Sequence, residues 1–239
     1  MRKLWFVLSV LAIASIALAA CGSAATEAPP TKPPPTAVPD LLADIKARGA
    51  IKVSTDPNYA PQSFLQPDGA FVGFDIDTAT EIAKRLGVKV EFVTPDWDVI
   101  TAGNWGGQWD ISVGSMTVTR ARQEILWFTQ PYYYTPAQFA AAIGSGIRSL
   151  EDLNGKAVCV GTSTTYEQWL KGEDLGFPPE ALYADAPSDV TVVPLSTDAE
   201  CAQAIQAGRT DFSAFLTSGT VVDSAIASAL RNHPQMQFS

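Results

Sequence analysis

The sequence has 239 residues, of which 46% are hydrophobic and 17% charged, and its formal net charge is −9. This composition is typical of a globular protein and excludes a disordered chain, and the length predicts one large domain or two small ones. The acidic balance, with no basic cluster to offset it, argues against nucleic acid as a partner.

The first 21 residues have the organisation of a bacterial export signal. Two basic residues precede the apolar stretch Leu4–Ala17, which is too short and too poorly flanked for an ordinary membrane span. The segment ends in Leu18-Ala19-Ala20-Cys21, which resembles the lipobox of bacterial lipoproteins. That resemblance implies cleavage before Cys21 and acylation of its thiol and amine. An ordinary secretion signal and an uncleaved anchor helix are the alternatives.

Residues 22–39 contain six prolines among Ala, Thr and Ser and almost no large apolar side chain. Such a segment cannot bury enough apolar surface to fold, so we predict an extended, semi-rigid tether. Acyl chains on Cys21 would hold the protein at a membrane surface, and the tether would hold the body away from it. We therefore expect an extracytoplasmic protein that is lipid-anchored to the cell membrane.

The body alternates predicted helices with predicted strands, which favours an α/β architecture with a largely parallel sheet. Before Gly144 we predict helices over Leu41–Arg48 and Asp77–Gly87, and strands over Ile51–Val53, Phe71–Ile76, Val88–Val93, Trp109–Val113 and Ala137–Ile143, the last leaving the first domain. After Gly146 the alternation of helices and strands resumes. We predict helices over Ser149–Leu153, Thr165–Lys171, Asp198–Ala207 and about 220–230. We predict strands over Ala157–Val160, Val190–Val193 and Phe212–Leu216.

A small, hydroxyl-rich turn follows the predicted strand Trp109–Val113. It contains Gly114, Ser115 and Thr117, and Arg122 comes a few residues later. Backbone N–H groups, hydroxyls and a guanidinium fork suit a carboxylate or a similar planar anion, and ligands of open α/β sheets gather past the carboxyl ends of strands. The alternative is a solvated turn with a surface arginine.

Five motifs, in order and at the right separations, support a resemblance over residues 41–229. They are Ile51–Pro61, Gly69 with Gly73–Asp77, Met116–Arg122, Phe128–Tyr132 and Asp152–Lys156. Together they resemble the family 3 solute-binding proteins that deliver polar amino acids to bacterial ABC importers. The resemblance implies a two-lobed type II periplasmic-binding-protein fold, with lobe 1 over 40–143 and lobe 2 over 144–239, closing at a hinge on one small molecule. It also implies a monomer that serves an ABC permease in the membrane.

The resemblance assigns ligand-binding roles to residues of both lobes. Tyr59 and its neighbours, among which we include Phe64, would cover the ligand side chain, Asp56 lies where members that bind basic side chains have a contact, and Trp97 would flank the cleft. From the anion turn and its helix come Gly114, Ser115, Thr117 and Arg122, with Arg122 binding the ligand carboxylate and Ser115 and Thr117 its carboxylate and amine. From lobe 2, the segment Gly161–Thr165, which includes Ser163, Thr164 and Thr165, would offer hydroxyls and helix N-terminal N–H groups to the same carboxylate.

Each of these roles has a structural alternative. Ser163 or Thr164 is explained equally by helix N-capping, the commoner role of such residues. Tyr59 and Trp97 are compatible with packing at the core or the rim. Asp56 is compatible with capping a turn before Pro57.

The sequence departs from the family in two ways. The family places a carboxylate for the ligand ammonium five residues past the Asp of a Gly-x-x-Asp turn; here the turn is Gly208–Asp211 and the position holds Leu216. A buried Leu cannot neutralise an ammonium, so Thr217 or Ser218 would have to act if the register slips, or the ligand lacks a free amine or is a cation held over aromatic faces. Family members also continue past this point to return to lobe 1, so we expect the sequence to be C-terminally incomplete.

The remaining cysteines, Cys159 and Cys201, allow either a disulfide in an exported domain or two buried thiols. His233 is the only histidine, so a metal site is not expected, and no cofactor is implied. The main rival function is an exported dehydratase of cyclic acids on the same scaffold, for which Asp56 is the one candidate acid or base. A ligand-sensing module for a receptor is a third interpretation. We predict a binding protein and not an enzyme.

Overall fold

The computed structural model describes residues 40–232. The predicted signal segment, Cys21 and the tether over 22–39 lie outside these residues. Between residues 40 and 232 no helix combines the length and the apolar character that crossing a membrane requires. The α-helices of this part are α1 (Leu41–Arg48), α2 (Phe74–Leu86), α3 (Trp97–Thr101), α4 (Arg120–Gln123), α5 (Thr165–Leu170), α6 (Asp198–Gln206) and α7 (Gly219–Asn232).

The strands form three sheets. In chain order they are β1 (Ala50–Ser54), β2 (Asn58–Tyr59), β3 (Ser63–Leu65), β4 (Phe71–Val72), β5 (Lys89–Val93), β6 (Ile111–Ser112), β7 (Ala137–Ala141), β8 (Ala157–Gly161), β9 (Thr191–Leu195) and β10 (Ala214–Ser218). Glu151–Leu153 and Pro179–Ala181 are short 3-10 helices.

The first lobe is built on a parallel sheet with the order β5-β1-β6. The apolar faces of α1 and α2 pack on this sheet around a core that includes Ile45, Ile51, Val53 and Ala79. Helix α1 ends as predicted at Gly49, whose left-handed backbone lets its N–H bond the carbonyls of the last turn. Strands β2, β3 and β4 form a small antiparallel sheet. Strands β2 and β3 were not predicted, and β4 is the first part of the predicted strand Phe71–Ile76, whose last three residues belong to α2.

The second lobe is built on a four-stranded sheet with the order β7-β10-β8-β9. Its β8, β9 and β10 run parallel, whereas β7 pairs antiparallel with β10. Val158 and Cys159 are neighbours on β8, but each belongs to a different hydrophobic core. Both faces of the sheet are therefore covered. Cys159 and Cys201 form a disulfide that joins β8 to α6. The α/β prediction is confirmed.

Three boundaries differ from those predicted. Helix α2 begins at Phe74 and not at Asp77, because Gly73 is its N-cap. Gly73 has a φ of 126° and lies against the backbone of Gln62, with which an added Cβ would collide, so this turn requires glycine. Strand β10 covers Ala214–Ser218, two residues later than predicted. Strand β7 was expected to leave the first lobe, and its hydrogen bonds place it in the second sheet. The residue boundary between the lobes at 143 stays a prediction.

Candidate functional site

A cleft lies between the two lobes, at the carboxyl ends of their parallel strands. Open α/β sheets bind ligands at this edge. The residues that line the cleft are Asp56, Tyr59, Trp97, Gly114, Ser115, Thr117 and Arg122 from the first lobe, and Gly161, Thr162, Thr164, Thr165, Tyr166, Ser196, Thr197 and Asp198 from the second.

Arg122 carries the positive charge of the cleft. It lies in α4, whose first turn is capped by the Thr119 hydroxyl, and it is only 6% exposed. Its Nη1 donates to the Thr117 carbonyl at 2.9 Å, and its Nη2 donates across the cleft to the Ser163 carbonyl at 3.0 Å. Burial lowers the pKa of Arg122 to about 10, so the group stays charged at neutral pH. Within residues 40–232 no carboxylate pairs with it. A buried cation held by two carbonyls suits an anionic ligand group.

Ser115 is held in place by a buried network under the cleft. Its backbone is left-handed, with φ 58°, and its Oγ donates to Asp75 Oδ2 at 2.7 Å. Tyr132 donates to the other Asp75 oxygen at 2.7 Å and accepts the Ser115 N–H at 3.2 Å. Because its proton and its N–H are both engaged, the Ser115 side chain can only accept a further hydrogen bond. It is therefore an acceptor, suited to an ammonium group and not to a carboxylate.

The start of α5 is strongly capped. Thr164 Oγ1 accepts the Glu167 N–H at 3.2 Å and donates to the Gly161 carbonyl at 2.7 Å. The Glu167 carboxylate accepts the Ser163 N–H at 2.6 Å. The N-cap alternative is thus the observed one for Thr164, and Thr165, which is buried, lines the cleft beside it.

Two carboxylates also line the cleft. Asp56 accepts the Asn58 N–H at 2.7 Å, which is the turn-capping bond foreseen as its alternative role, and burial raises its pKa. Asp198 begins α6 and is 5% exposed. Its two oxygens accept the Gly161 N–H at 2.7 Å and the Thr217 hydroxyl at 2.6 Å. Burial raises the pKa of Asp198 to about 6, above its usual range but below neutral pH.

The two lobes touch through further polar contacts near the cleft. Trp97 Nε1 donates to the Ser163 carbonyl at 3.2 Å, and the Trp97 ring lies 5.5 Å below the Arg122 guanidinium. Tyr59 donates to Ser218 Oγ at 3.1 Å, so a tyrosine of the first lobe reaches the end of β10.

The structure brings most of the predicted site residues together. Nine line the cleft: Asp56, Tyr59, Trp97, Gly114, Ser115, Thr117, Arg122, Thr164 and Thr165. Ser163 contributes its carbonyl to the contact between the lobes. Phe64 is not among the lining residues; it is half-buried on β3. The assignment of all these residues to a ligand stays a prediction.

Sequence reasoning missed four lining residues: Tyr166, Ser196, Thr197 and Asp198. An acid in the first turn of a helix has an ordinary explanation in the helix dipole, so no local pattern singles out Asp198. Leu216, which the resemblance places at the ammonium position, is 4% exposed and lies in the second-lobe core. Among residues 40–232 no group of His, Cys, Asp or Glu side chains is arranged to hold a metal ion.

Comparison with known proteins places this geometry in a family. A family model described as bacterial extracellular solute-binding proteins, family 3, matches residues 51–221, which is more than half of the chain. The L-cystine-binding protein of Escherichia coli K12 is 33% identical over 55% of this chain and 50% of its own length. The chain thus spans about half the length of the curated relatives it matches.

Two solved structures show the same two-lobed α/β fold. An ancestral arginine-binding protein bound to arginine is 32% identical, with a TM-score of 0.67 over 80% of this chain and 78% of the other. An ancestral amino acid-binding protein, described as a precursor of cyclohexadienyl dehydratase, is also 32% identical, with a TM-score of 0.65 over 82% of this chain and 79% of the other. The chain belongs to the bacterial extracellular solute-binding proteins, family 3.

Proposed function

We propose that the protein is the extracytoplasmic solute-binding subunit of an ABC importer and captures an amino acid, or a related small carboxylate, between its lobes. The observation that carries this proposal is Arg122: a buried, charged guanidinium in the cleft with no carboxylate partner within residues 40–232. A ligand carboxylate would accept both N–H groups of the guanidinium fork.

The proposed mechanism is a shift of population toward the closed state. The ligand would contact Arg122 and Ser115 of the first lobe and Thr165 of the second at the same time. Because it reaches both walls only when the lobes are closed, binding favours that state by the difference between its two affinities. The permease would then recognise the closed form.

The test is a thermal-unfolding screen of the full chain against the twenty common amino acids, followed by calorimetry. A ligand at a hundredfold excess over its Kd should add about 2.7 kcal/mol of stability. Arg122→Ala should weaken binding of the best ligand by about 10- to 100-fold, because a charge-assisted bond contributes about 1.5–3 kcal/mol. Arg122→Lys is the matched control, which keeps the charge and loses the fork, and it should fall between the two. If neither an amino acid nor, in a second screen, a related small carboxylate shifts the unfolding temperature, or if Arg122→Ala binds as tightly as the parent, the proposal fails.

We also propose that acyl chains on Cys21 hold the protein at the membrane, with residues 22–39 as a tether. The lipobox match in the sequence supports this. Replacing Cys21 by Ser should move the protein from the membrane fraction to the soluble fraction of the cells. Equal fractionation of the two forms would contradict the proposal.

We propose a binding function and not catalysis. The curated relative is named for the L-cystine it binds, and the solved structure related to a dehydratase is itself an amino acid-binding protein. The proposal predicts that a bound ligand is recovered unchanged after long incubation with the protein, which mass spectrometry would check. Conversion of a cyclic acid would contradict it.

A further inference from the structure

Ser163 has a backbone conformation that serine rarely adopts. Its φ is 58°, in the left-handed region, which is uncommon for residues other than glycine. In this conformation its carbonyl accepts two bonds from the first lobe, from Arg122 Nη2 at 3.0 Å and from Trp97 Nε1 at 3.2 Å. A sparsely populated conformation persists only where neighbouring groups fix it, so the contact between the lobes depends on what holds Ser163.

The carboxylate of Glu167 holds the N–H of Ser163. Glu167 lies in the first turn of α5 and is 8% exposed, and its Oε2 accepts the Ser163 N–H at 2.6 Å. A hydrogen bond to an ionised carboxylate is roughly twice as strong as one between neutral groups. The other oxygen, Oε1, accepts Lys171 Nζ at 2.7 Å from the end of the same helix. Glu167 is not among the residues that line the cleft, so its effect on the cleft passes through Ser163.

The backbone on either side of Ser163 is fixed by other contacts. Thr164 caps α5 through its Oγ1, which accepts the Glu167 N–H at 3.2 Å. Thr162 donates its N–H to the carbonyl of Leu195, the last residue of β9, at 2.8 Å. Ser163 links these two anchored residues, and the bond from its N–H to Glu167 fixes the peptide between them. The direction of the Ser163 carbonyl therefore depends on Glu167.

We propose that Glu167 is a positioning residue for closure of the lobes: it holds the Ser163 N–H and thereby directs the Ser163 carbonyl at Arg122 and Trp97. Without this carboxylate the Ser163 backbone is free to leave the left-handed region, and its carbonyl turns away from both donors. The inference goes beyond the proposed function, because it concerns how the lobes are held together and needs no solute for its test.

The indole N–H of Trp97 reports on this contact. A hydrogen-bonded N–H exchanges with solvent when its bond opens, so its exchange rate, measured by NMR on the full ligand-free chain, follows the opening of the lobes at Ser163. Glu167→Ala should raise this rate by about tenfold, because the carbonyl is no longer held towards the indole. The indole N–H of Trp105 donates to Ile100 of its own lobe at 2.9 Å, and as the internal control it should change by less than about threefold.

Further variants separate this positioning role from a general contribution to α5. Lys171→Ala is the matched control, because it removes the ion pair on the same carboxylate and leaves the bond to Ser163; Trp97 exchange should stay within about threefold of the parent. Glu167→Gln keeps an acceptor oxygen for the Ser163 N–H and should restore most of the protection that Glu167→Ala loses. If Glu167→Ala does not fold, Glu167→Asp takes its place: it keeps the charge, but its carboxylate is shorter by one methylene and should speed exchange similarly.

X-ray scattering tests whether Glu167 acts through the Ser163 carbonyl. Glu167→Ala should raise the radius of gyration of the ligand-free protein, and adding Trp97→Phe should raise it no further, since the bond that Trp97 makes is already lost. Additive increases would mean that Glu167 affects the lobes by another route, and they would overturn the proposal. Unchanged Trp97 exchange in Glu167→Ala and Glu167→Asp, or an equally large effect of Lys171→Ala, would also overturn it. The proposed function would stand in each of these cases, because it is tested by the binding of solutes.

Discussion

At the scale of single residues, a buried side chain that does not line the cleft determines whether Ser115 donates or accepts hydrogen bonds there. Asp75 is fully buried in the first turn of α2 and accepts hydrogen bonds from the hydroxyls of both Ser115 and Tyr132. Burial raises the pKa of Asp75, while the two hydroxyl donors act in the opposite direction. Asp75 thereby positions Ser115 and fixes it as an acceptor without lining the cleft itself.

Asp75→Asn should therefore weaken the binding of an amino acid while leaving the fold intact. The amide supplies one acceptor in place of two, so one hydroxyl must turn, and we expect about a tenfold loss of affinity in calorimetry. Asp77→Asn, an exposed change in the same helical turn, is the matched control and should bind like the parent. Equal affinities for the two variants would show that Asp75 does not position Ser115.

A second residue-scale prediction concerns the glycines on the two walls of the cleft. Gly161→Ala should destabilise the protein by about 1–3 kcal/mol, because the methyl group displaces the buried Asp198 carboxylate from its hydrogen bond. In Gly114→Ala the methyl meets only Ser112 Oγ, at 3.9 Å, so the loss should stay within about 0.5 kcal/mol. Denaturant unfolding of both ligand-free variants measures the difference, and similar losses would contradict it.

At the scale of elements, the disulfide fastens α6 to β8. It links Cys159 and Cys201 over a separation of 42 residues, and both sulfurs lie in the apolar core of the second lobe. Asp198 lies one turn before Cys201 on the same helix, so the bridge also fixes the start of α6 against the strand that Asp198 contacts.

Removing the bridge by Cys159→Ala with Cys201→Ala should lower the free energy of unfolding by about 4 kcal/mol. This is the loop-closure entropy of a bridge of this span. Denaturant unfolding with and without a reductant is the measurement: the parent should lose stability in reductant and the double variant should not. A loss below about 1 kcal/mol would show that the second-lobe core alone holds α6 in place.

Sequence reasoning succeeded where local chemistry decides an element. Helix α1 follows from its apolar spacing and Gly49, and β8 follows from a short apolar run. It failed for β10, because the predicted strand over 212–216 has no alternation that fixes which residues pair. The shift of two residues placed Ser218 at the end of the strand, facing Tyr59, which only the tertiary structure shows.

The site residues divide in the same way, into those that a local sequence pattern predicts and those that only the tertiary structure brings together. Arg122 and Ser115 stand out in the sequence because a hydroxyl-rich turn and a guanidinium after a buried strand have a chemical meaning together. Asp198 does not, since its partners Gly161 and Thr217 are 37 and 19 residues away along the chain. Contacts of that separation depend on sheet order, which no local pattern contains.

At the scale of the whole molecule, two of the hydrogen bonds that join the lobes are accepted by one carbonyl. Ser163 has a left-handed backbone, with φ 58°, and its oxygen accepts both Arg122 Nη2 at 3.0 Å and Trp97 Nε1 at 3.2 Å. A ligand carboxylate would compete for Arg122 but not for Trp97. We therefore expect the indole bond to support the closed form with or without ligand, and the arginine bond to be exchanged when a ligand carboxylate binds.

Trp97→Phe should open the ligand-free protein and weaken ligand binding, because it removes the indole donor to Ser163 while keeping an aromatic ring at this position. The loss of one neutral hydrogen bond, about 0.5–1.5 kcal/mol, corresponds to an affinity lower by about 2- to 12-fold. The radius of gyration in X-ray scattering should rise for the ligand-free variant and return to the parent value with saturating ligand. Trp105→Phe is the matched control, because its Nε1 donates at 2.9 Å to Ile100 of its own lobe. If the two variants share one radius and one affinity, the bond from Trp97 to Ser163 does not hold the lobes together, and the other contacts between them, such as that of Tyr59 with Ser218, are sufficient.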